Sequence, residues 1–310
     1  MTSASHPSAP FGRVLTAMVT AFDAEGSVDL EGTARVAEHL AANGHDGIVV
    51  SGTTGESPVT STDEDAQVLR AVIEAVGERL TVVAGVGTND TAHSVDLAVQ
   101  AEKLGADGVL VVTPYYSKPS QAGVAAHFEA VADASGLPVM LYDIPSRTGI
   151  PIAEQTYARV AGHERIVAVK DAVGDLYRGV RIMADTGLAV YSGDDVLNLG
   201  WLTHGGCGVV SVVGHVAGNE YAAMVEALDR GDLSKALGIY RCLVPVVDAM
   251  MHKAPGAVMA KAAMQLLGVL PNRNVRLPLV PADDDLVDQL RTELLRADLL
   301  KESPMHEGTA

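Results

Sequence analysis

One pattern recurs eight times between residues 15 and 229: a short apolar run rich in β-branched residues, a polar or glycine-containing loop, then an amphipathic stretch rich in Ala, Leu, Glu and Gln. The apolar runs are residues 15–20, 47–50, 81–84, 108–112, 139–142, 166–170, 189–191 and 208–212. The amphipathic stretches that follow them are 29–43, 62–76, 91–104, 121–134, 153–160, 176–184, 195–203 and 219–229. Strands that alternate with helices over short loops predict crossover connections and a parallel sheet. Eight such units suit a closed barrel better than an open doubly wound sheet, and no GxGxxG opens the first helix to support a dinucleotide fold. The fold class expected is α/β, a (β/α)8 TIM barrel. Three more helical stretches follow at 233–251, 257–267 and 284–297, with a Pro/Asn-containing link at 270–281. The chain therefore divides into a disordered lead-in (1–12), the barrel (13–230), a C-terminal three-helix extension (231–300) and a tail (301–310).

The 310 residues carry a formal charge of −17, from 22 Lys+Arg against 39 Asp+Glu. Such a surface repels phosphate backbones and anionic lipid, which argues against nucleic-acid and membrane partners. A local Arg or Lys can still outweigh that distant field, so anionic substrates remain open. Cys207 and Cys242 are the only cysteines. Two cysteines make no disulfide framework, and a reduced cytoplasmic protein is the expectation. The first ten residues lack the basic start and apolar run of a signal peptide, and no run approaches about 18 apolar residues.

In a barrel of this kind, sites lie on the loops after the C-terminal ends of the strands. Four such loops stand out. Ser51-Gly-Thr-Thr-Gly-Glu-Ser57 follows the second strand. Its glycines allow close backbone approach and its N–H groups could form an anion nest, although a glycine turn that merely caps a helix reads the same way. No Lys follows as in a P-loop. Thr113-Pro-Tyr-Tyr-Ser117 follows the fourth strand and places Tyr115 and Tyr116 side by side in a chain poor in aromatics; they could relay protons or be an interface pair. Tyr142-Asp-Ile-Pro-Ser-Arg-Thr-Gly149 follows the fifth and displays Arg147, whose guanidinium matches a carboxylate or forms an ordinary surface ion pair. The sixth strand, 166–170, ends in Lys170. That is either a strand reaching water or an amine in an apolar mouth, where desolvation would free its lone pair to attack a carbonyl.

Other polar features read as structural. His204 and Cys207 lack further ligands at suitable spacing, so no metal is expected. His39, His45, His93 and His127 are scattered. Asp194-Asp195 reads as a helix N-cap, and 283–285 as the start of the last helix.

Taken in order, GTTGES (52–57), TPYYSKP (113–119), YDIPSRTG (142–149) and VKDA (169–172), with SGDD (192–195) and GVVSV (208–212), resemble the dihydrodipicolinate synthase / N-acetylneuraminate lyase family over roughly residues 13–300. That resemblance implies a class I lyase without metal or organic cofactor. Lys170 would form a Schiff base with pyruvate and Tyr142 would shuttle protons. Thr53 and Thr54 would hold the pyruvate carboxylate, and Thr54, Tyr142 and Tyr116 would form a relay, with Tyr116 reaching into a neighbouring subunit. Arg147 would bind the carboxylate of the second substrate, and the Val210 carbonyl would position reacting groups. The arginine of SRTG and the reading GTTGE, where sialate lyases typically read GSTGE, favour condensation of pyruvate with L-aspartate 4-semialdehyde, as in lysine and diaminopimelate biosynthesis. A sugar-acid aldolase or dehydratase of the same family, or a keto-acid-binding sensor, are the alternatives. A homo-oligomer, a dimer of dimers, is implied.

Two departures from the family pattern follow. Many members carry an allosteric lysine site, to which Ser57, Asn89 and Tyr115 correspond. Thr62 and Asp65 stand where histidines are frequent there, and His93 stands for a glutamate, which predicts weak or absent lysine inhibition. Asp143 replaces a frequent asparagine and reads as a mild variation at a loop base.

Overall fold

The structure is a computed structural model that describes residues 9–301. Most of the expected lead-in (1–8) and tail (302–310) lies outside the described residues. The strands are β1 (Val14–Ala17), β2 (Gly47–Val50), β3 (Thr81–Gly85), β4 (Gly108–Val112), β5 (Val139–Asp143), β6 (Ile166–Asp171), β7 (Ala189–Ser192) and β8 (Gly208–Ser211). They pair in chain order, all parallel, and β8 closes on β1 through the register pair Leu15–Val210. The expected (β/α)8 barrel is the fold observed.

Both faces of a closed parallel sheet are covered, so its strands must be apolar at nearly every position. Here the two faces part by alternation, interrupted once, in β6. Leu15, Ala17, Val49, Val83, Leu110, Met140, Ala168, Tyr191 and Val210 fill the barrel interior. Val14, Ile48, Val50, Val82, Val109, Val111, Leu141, Val169, Val190 and Val209 face the outer helices. Phe11, inside the stretch expected to be disordered, is wholly buried; its N–H donates to the Tyr191 hydroxyl at 3.1 Å. Gly108 must be glycine there, because a Cβ would stand 2.4 Å from the Phe11 ring.

The outer layer comprises α1 (Leu30–Ala42), α2 (Thr62–Val76), α3 (Thr91–Leu104), α4 (Gln121–Ala134), the single turn α5 (Pro145–Thr148), α6 (Glu154–Val160), α7 (Leu176–Thr186), α8 (Asn198–Thr203) and α9 (Gly214–Asp229). Side-chain caps set most starts: Asp29, Asp90, Ser120 and Asp175 each accept a first-turn N–H, and Ser61 with Glu64 forms a capping box on α2. Two helices differ from the sequence pattern. The expected helix 195–203 is a 3-10 turn (Asp195–Leu197) followed by α8. The helix expected from 219 starts at Gly214, through a non-helical Ala217 (φ −124, ψ 29), which broke its periodicity. The extension is α10 (Leu233–Met251), α11 (Gly256–Leu266) and α12 (Asp284–Arg296), and α12 packs on α10 and α11. Among the described residues no helix is long and apolar enough to cross a membrane.

Candidate active site

A cavity of about 720 Å³ opens at the C-terminal end of the barrel. Thr53, Leu110, Val112, Tyr116, Tyr142, Ile144 and Arg147 line it. Ser57, Pro58, Thr62, Asp65, His93 and Tyr115 line it too, so three of the four loops singled out in the sequence meet around one space; Lys170 is not among its lining residues and borders it through Tyr142.

Lys170 reaches the barrel mouth because of an irregularity in its strand. Val139 pairs with Ile166, but Met140 pairs with Ala168, so β6 carries one extra residue, Val167. Ile166 faces the helices. Without the extra residue, alternation would turn Lys170 outward as well; with it, Ala168 and Lys170 share the inner face and Lys170 comes opposite Tyr142. The Lys170 Nζ lies 4.4 Å from the centroid of the Tyr142 ring. Gly193 makes room for it, since a Cβ there would sit 2.8 Å from the Lys170 Cγ.

The electrostatics follow from this burial. Lys170 is buried, and desolvation draws its ammonium down from 10.5 to about 8; Asp195 opposes the shift and Arg147 adds to it. Tyr142 is pushed up to about 12, again by desolvation, while Arg147 and a hydrogen bond with Thr53 pull it back. At neutral pH the phenol is therefore protonated and a usable fraction of the amine is free. The Thr113 N–H and hydroxyl both donate to the Tyr142 carbonyl, at 3.0 and 3.2 Å, which ties the β4 loop to β5.

The two adjacent threonines are placed differently. Thr53 stands exposed on the cavity wall that Tyr142 also lines. Thr54 is buried and lies outside the lining. Sequence alone could not separate adjacent threonines on a loop. Tyr116 is 88% exposed and adopts φ 71. A tyrosine in the left-handed region is strained, and Ser51, Glu56 and Lys118 share that conformation on the same loops. Arg147 sits on the α5 turn at the cavity wall, and among the described residues no carboxylate pairs with it. Val210 is buried on the inner face of β8. Asn89 is exposed and is absent from the cavity lining, unlike Ser57 and Tyr115.

Two acidic residues do more than the sequence suggested. Asp194 caps the 3-10 turn as expected, accepting from the Val196 N–H. Asp195, however, is a buried hub: its carboxylate accepts from Ser211, Asn198 and Tyr221 and from the N–H groups of Val212 and Val213. It fixes the chain just past Val210. Asp143 is likewise no mild variation. It is fully buried and accepts from Tyr157 at 3.0 Å, from the Ile152 N–H and from Arg178 at 3.2 Å. Arg178 lies 3.7 Å from Asp171 as well. One guanidinium thus serves the residues following both Tyr142 and Lys170, and burial pushes Asp171 up to about 6. No sequence spacing announced Arg178, which comes from the far side of a loop.

The model of the dihydrodipicolinate synthetase family matches residues 10–297. The 4-hydroxy-tetrahydrodipicolinate synthase of Kineococcus radiotolerans is 58% identical over 297 residues, 96% of each chain. The 4-hydroxy-tetrahydrodipicolinate synthase 2 of Streptomyces coelicolor is 54% identical over 95% of this chain and 98% of its own. Among solved structures, a synthase of this family from Cyanidioschyzon merolae with lysine bound superposes with a TM-score of 0.91 at 41% identity, covering 96% of this chain and all of that one. The chloride-inhibited dihydrodipicolinate synthase of Acinetobacter baumannii complexed with pyruvate gives 0.89 at 32% identity, covering 94% of this chain and 100% of that one. With a family model spanning nearly its whole length and relatives more than half identical to it, the chain belongs to the dihydrodipicolinate synthetase family.

Proposed function

We propose that the protein is a 4-hydroxy-tetrahydrodipicolinate synthase, a lyase that condenses pyruvate with L-aspartate 4-semialdehyde. The observation that carries the chemistry is the buried amine of Lys170 beside the Tyr142 ring, its pKa drawn down to about 8. The neutral amine adds to C2 of pyruvate and loses water to give an imine. The imine withdraws electrons, so a proton leaves C3 and an enamine forms. C3 then attacks the aldehyde carbon, whose oxygen takes a proton and becomes the 4-hydroxyl. The amine of the semialdehyde next adds to C2, expels Lys170 as the free amine and closes the six-membered ring. These steps need a group that gives and takes protons, which is the role of Tyr142 with Thr53 and Tyr116.

The Thr53–Thr54 turn binds the pyruvate carboxylate, and Arg147, free of an internal partner among the described residues, takes the carboxylate of the second substrate. The Val210 carbonyl orients the reacting groups, held by the Asp195 hub through Ser211, one residue along the chain. The exposed, strained Tyr116 is spent on a neighbouring copy: it completes the relay across a homodimer interface, and two such dimers form a tetramer. Barrel residues 13–230 carry the chemistry and 231–300 support it. Cys207 and Cys242 are unpaired, which fits a cytoplasmic protein. The test is turnover with pyruvate against a panel of aldehydes. Aspartate semialdehyde should be used with a higher kcat/KM than sugar-derived aldehydes; the reverse order would place the protein among the sugar-acid aldolases.

A further inference from the structure

A second buried lysine lies outside this chemistry. Lys261 is the one charged residue of helix α11 and is fully buried. Its Nζ donates to the Glu56 carboxylate and, at 2.8 Å, to the Asn274 carbonyl, and it stands 3.9 Å from the centroid of the Phe22 ring. Glu56 is as buried as its partner, and its other oxygen accepts the Arg276 N–H at 2.9 Å. A buried ion pair is seldom the cheapest way to fill space, so its retention calls for another reason.

The position of Glu56 supplies one. It closes the turn that begins at Gly52: the Glu56 N–H donates to the Thr53 carbonyl at 3.2 Å, and the Glu56 backbone is left-handed (φ 59, ψ 31). Within the turn the Ser57 N–H also donates to the Gly52 carbonyl, at 3.4 Å. The Glu56 side chain is held from α11 and the segment after it, where Arg276 also donates to the Val59 carbonyl and pairs with Glu64 at 2.6 Å. The turn that bears Thr53 is thus anchored to the C-terminal extension as well as to the barrel.

We infer that Glu56 and Lys261 are positioning residues for the pyruvate half of the reaction: their ion pair fixes where Thr53 presents its N–H and hydroxyl, and so makes the C-terminal extension part of the active site. This rests on the reading of Lys170 and Thr53 given above. Arg147 lies on a separate loop that Glu56 does not touch, so the two substrates should respond differently.

The test uses the full-length protein and two variants, Lys261→Met and the isosteric Glu56→Gln. Three quantities are read: the pyruvate concentration for half-maximal borohydride trapping, the KM for the aldehyde, and the thermal midpoint, with kinetics run well below it. Misplacing a binding group by about 1 Å costs up to about a hundredfold. The half-trapping concentration should therefore rise by about tenfold or more while the aldehyde KM stays within about twofold. A folded variant that lowers only the thermal midpoint, or shifts both substrates equally, overturns the inference. Should Lys261→Met fail to fold, Glu56→Gln is judged by the same two outcomes. Absence of trapping in the unaltered protein would instead refute the Lys170 reading.

Discussion

Tyr142 and Lys170 are register partners on adjacent parallel strands, and the lysine amine lies 4.4 Å from the tyrosine ring centre. Neither group would be useful alone. The ring excludes water from the amine, which favours its neutral form; the amine in turn faces a phenol that stays protonated at neutral pH.

Imine formation should follow the free amine. With the Lys170 pKa lowered to about 8, the reactive form is present above that pH and is lost as pH falls below it. The initial rate of trapping should fall about tenfold per pH unit below that point and level off above it. Because Arg147 helps to lower the value, Arg147→Ala should move the midpoint to higher pH. A profile flat down to pH 6 would contradict this.

Arg147→Ala should also separate the substrates. A charge-assisted hydrogen bond to a carboxylate contributes about 1.5–3 kcal/mol, so the KM for aspartate semialdehyde should rise about tenfold to a hundredfold. Above the amine pKa, trapping by pyruvate should be little changed. Steady-state kinetics with each substrate varied in turn checks both.

Adjacent threonines give a sharp comparison. Thr53→Val removes the hydroxyl that shares the cavity wall with Tyr142 and should lower kcat by about 10²-fold, the scale of a general acid–base contribution. Thr54→Val leaves that hydroxyl in place and should cost far less. Equal losses would place Thr54 in the relay as well.

Much of this was legible in the chain. Alternating apolar runs and amphipathic stretches specified the barrel, because a sheet buried on both faces tolerates few other patterns, and the rule that sites crown the strands selected the four loops. What escaped depended on registration or on contacts distant in sequence. The extra residue at Val167 turns Lys170 inward, and nothing in the letters IVAVK marks it. Asp195 read as a cap because its donors come from β8 and α9, up to Tyr221. Lys261 shows in the sequence only as the one charge in the stretch 256–266, with nothing there to name Glu56 as its partner.

The cavity lining includes Asp65 and His93, the positions that depart from the expected lysine-site pattern. Titration of the enzyme with L-lysine should show weak inhibition or none. A low-millimolar inhibition constant would mean that Ser57 and Tyr115 suffice to hold the ligand.

His45 predicts an acid-sensitive step in stability. Burial lowers its pKa to about 4; one ring nitrogen meets the Leu40 carbonyl at 3.0 Å, and the other meets Thr16 at 2.8 Å. The unfolded chain binds the proton below about 6.5 and the folded protein only below about 4, so stability falls with pH across that window. The stability advantage over His45→Asn at pH 8 should shrink by ~2 kcal/mol at pH 5, measured by urea unfolding. A constant difference would show that the ring is not held neutral.

The most direct test of the central claim is reduction with borohydride in the presence of pyruvate, followed by peptide mass spectrometry. The account predicts one added pyruvate-derived group on the peptide containing Lys170, and none in Lys170→Ala. No adduct, or an adduct on another lysine such as Lys261, would contradict it.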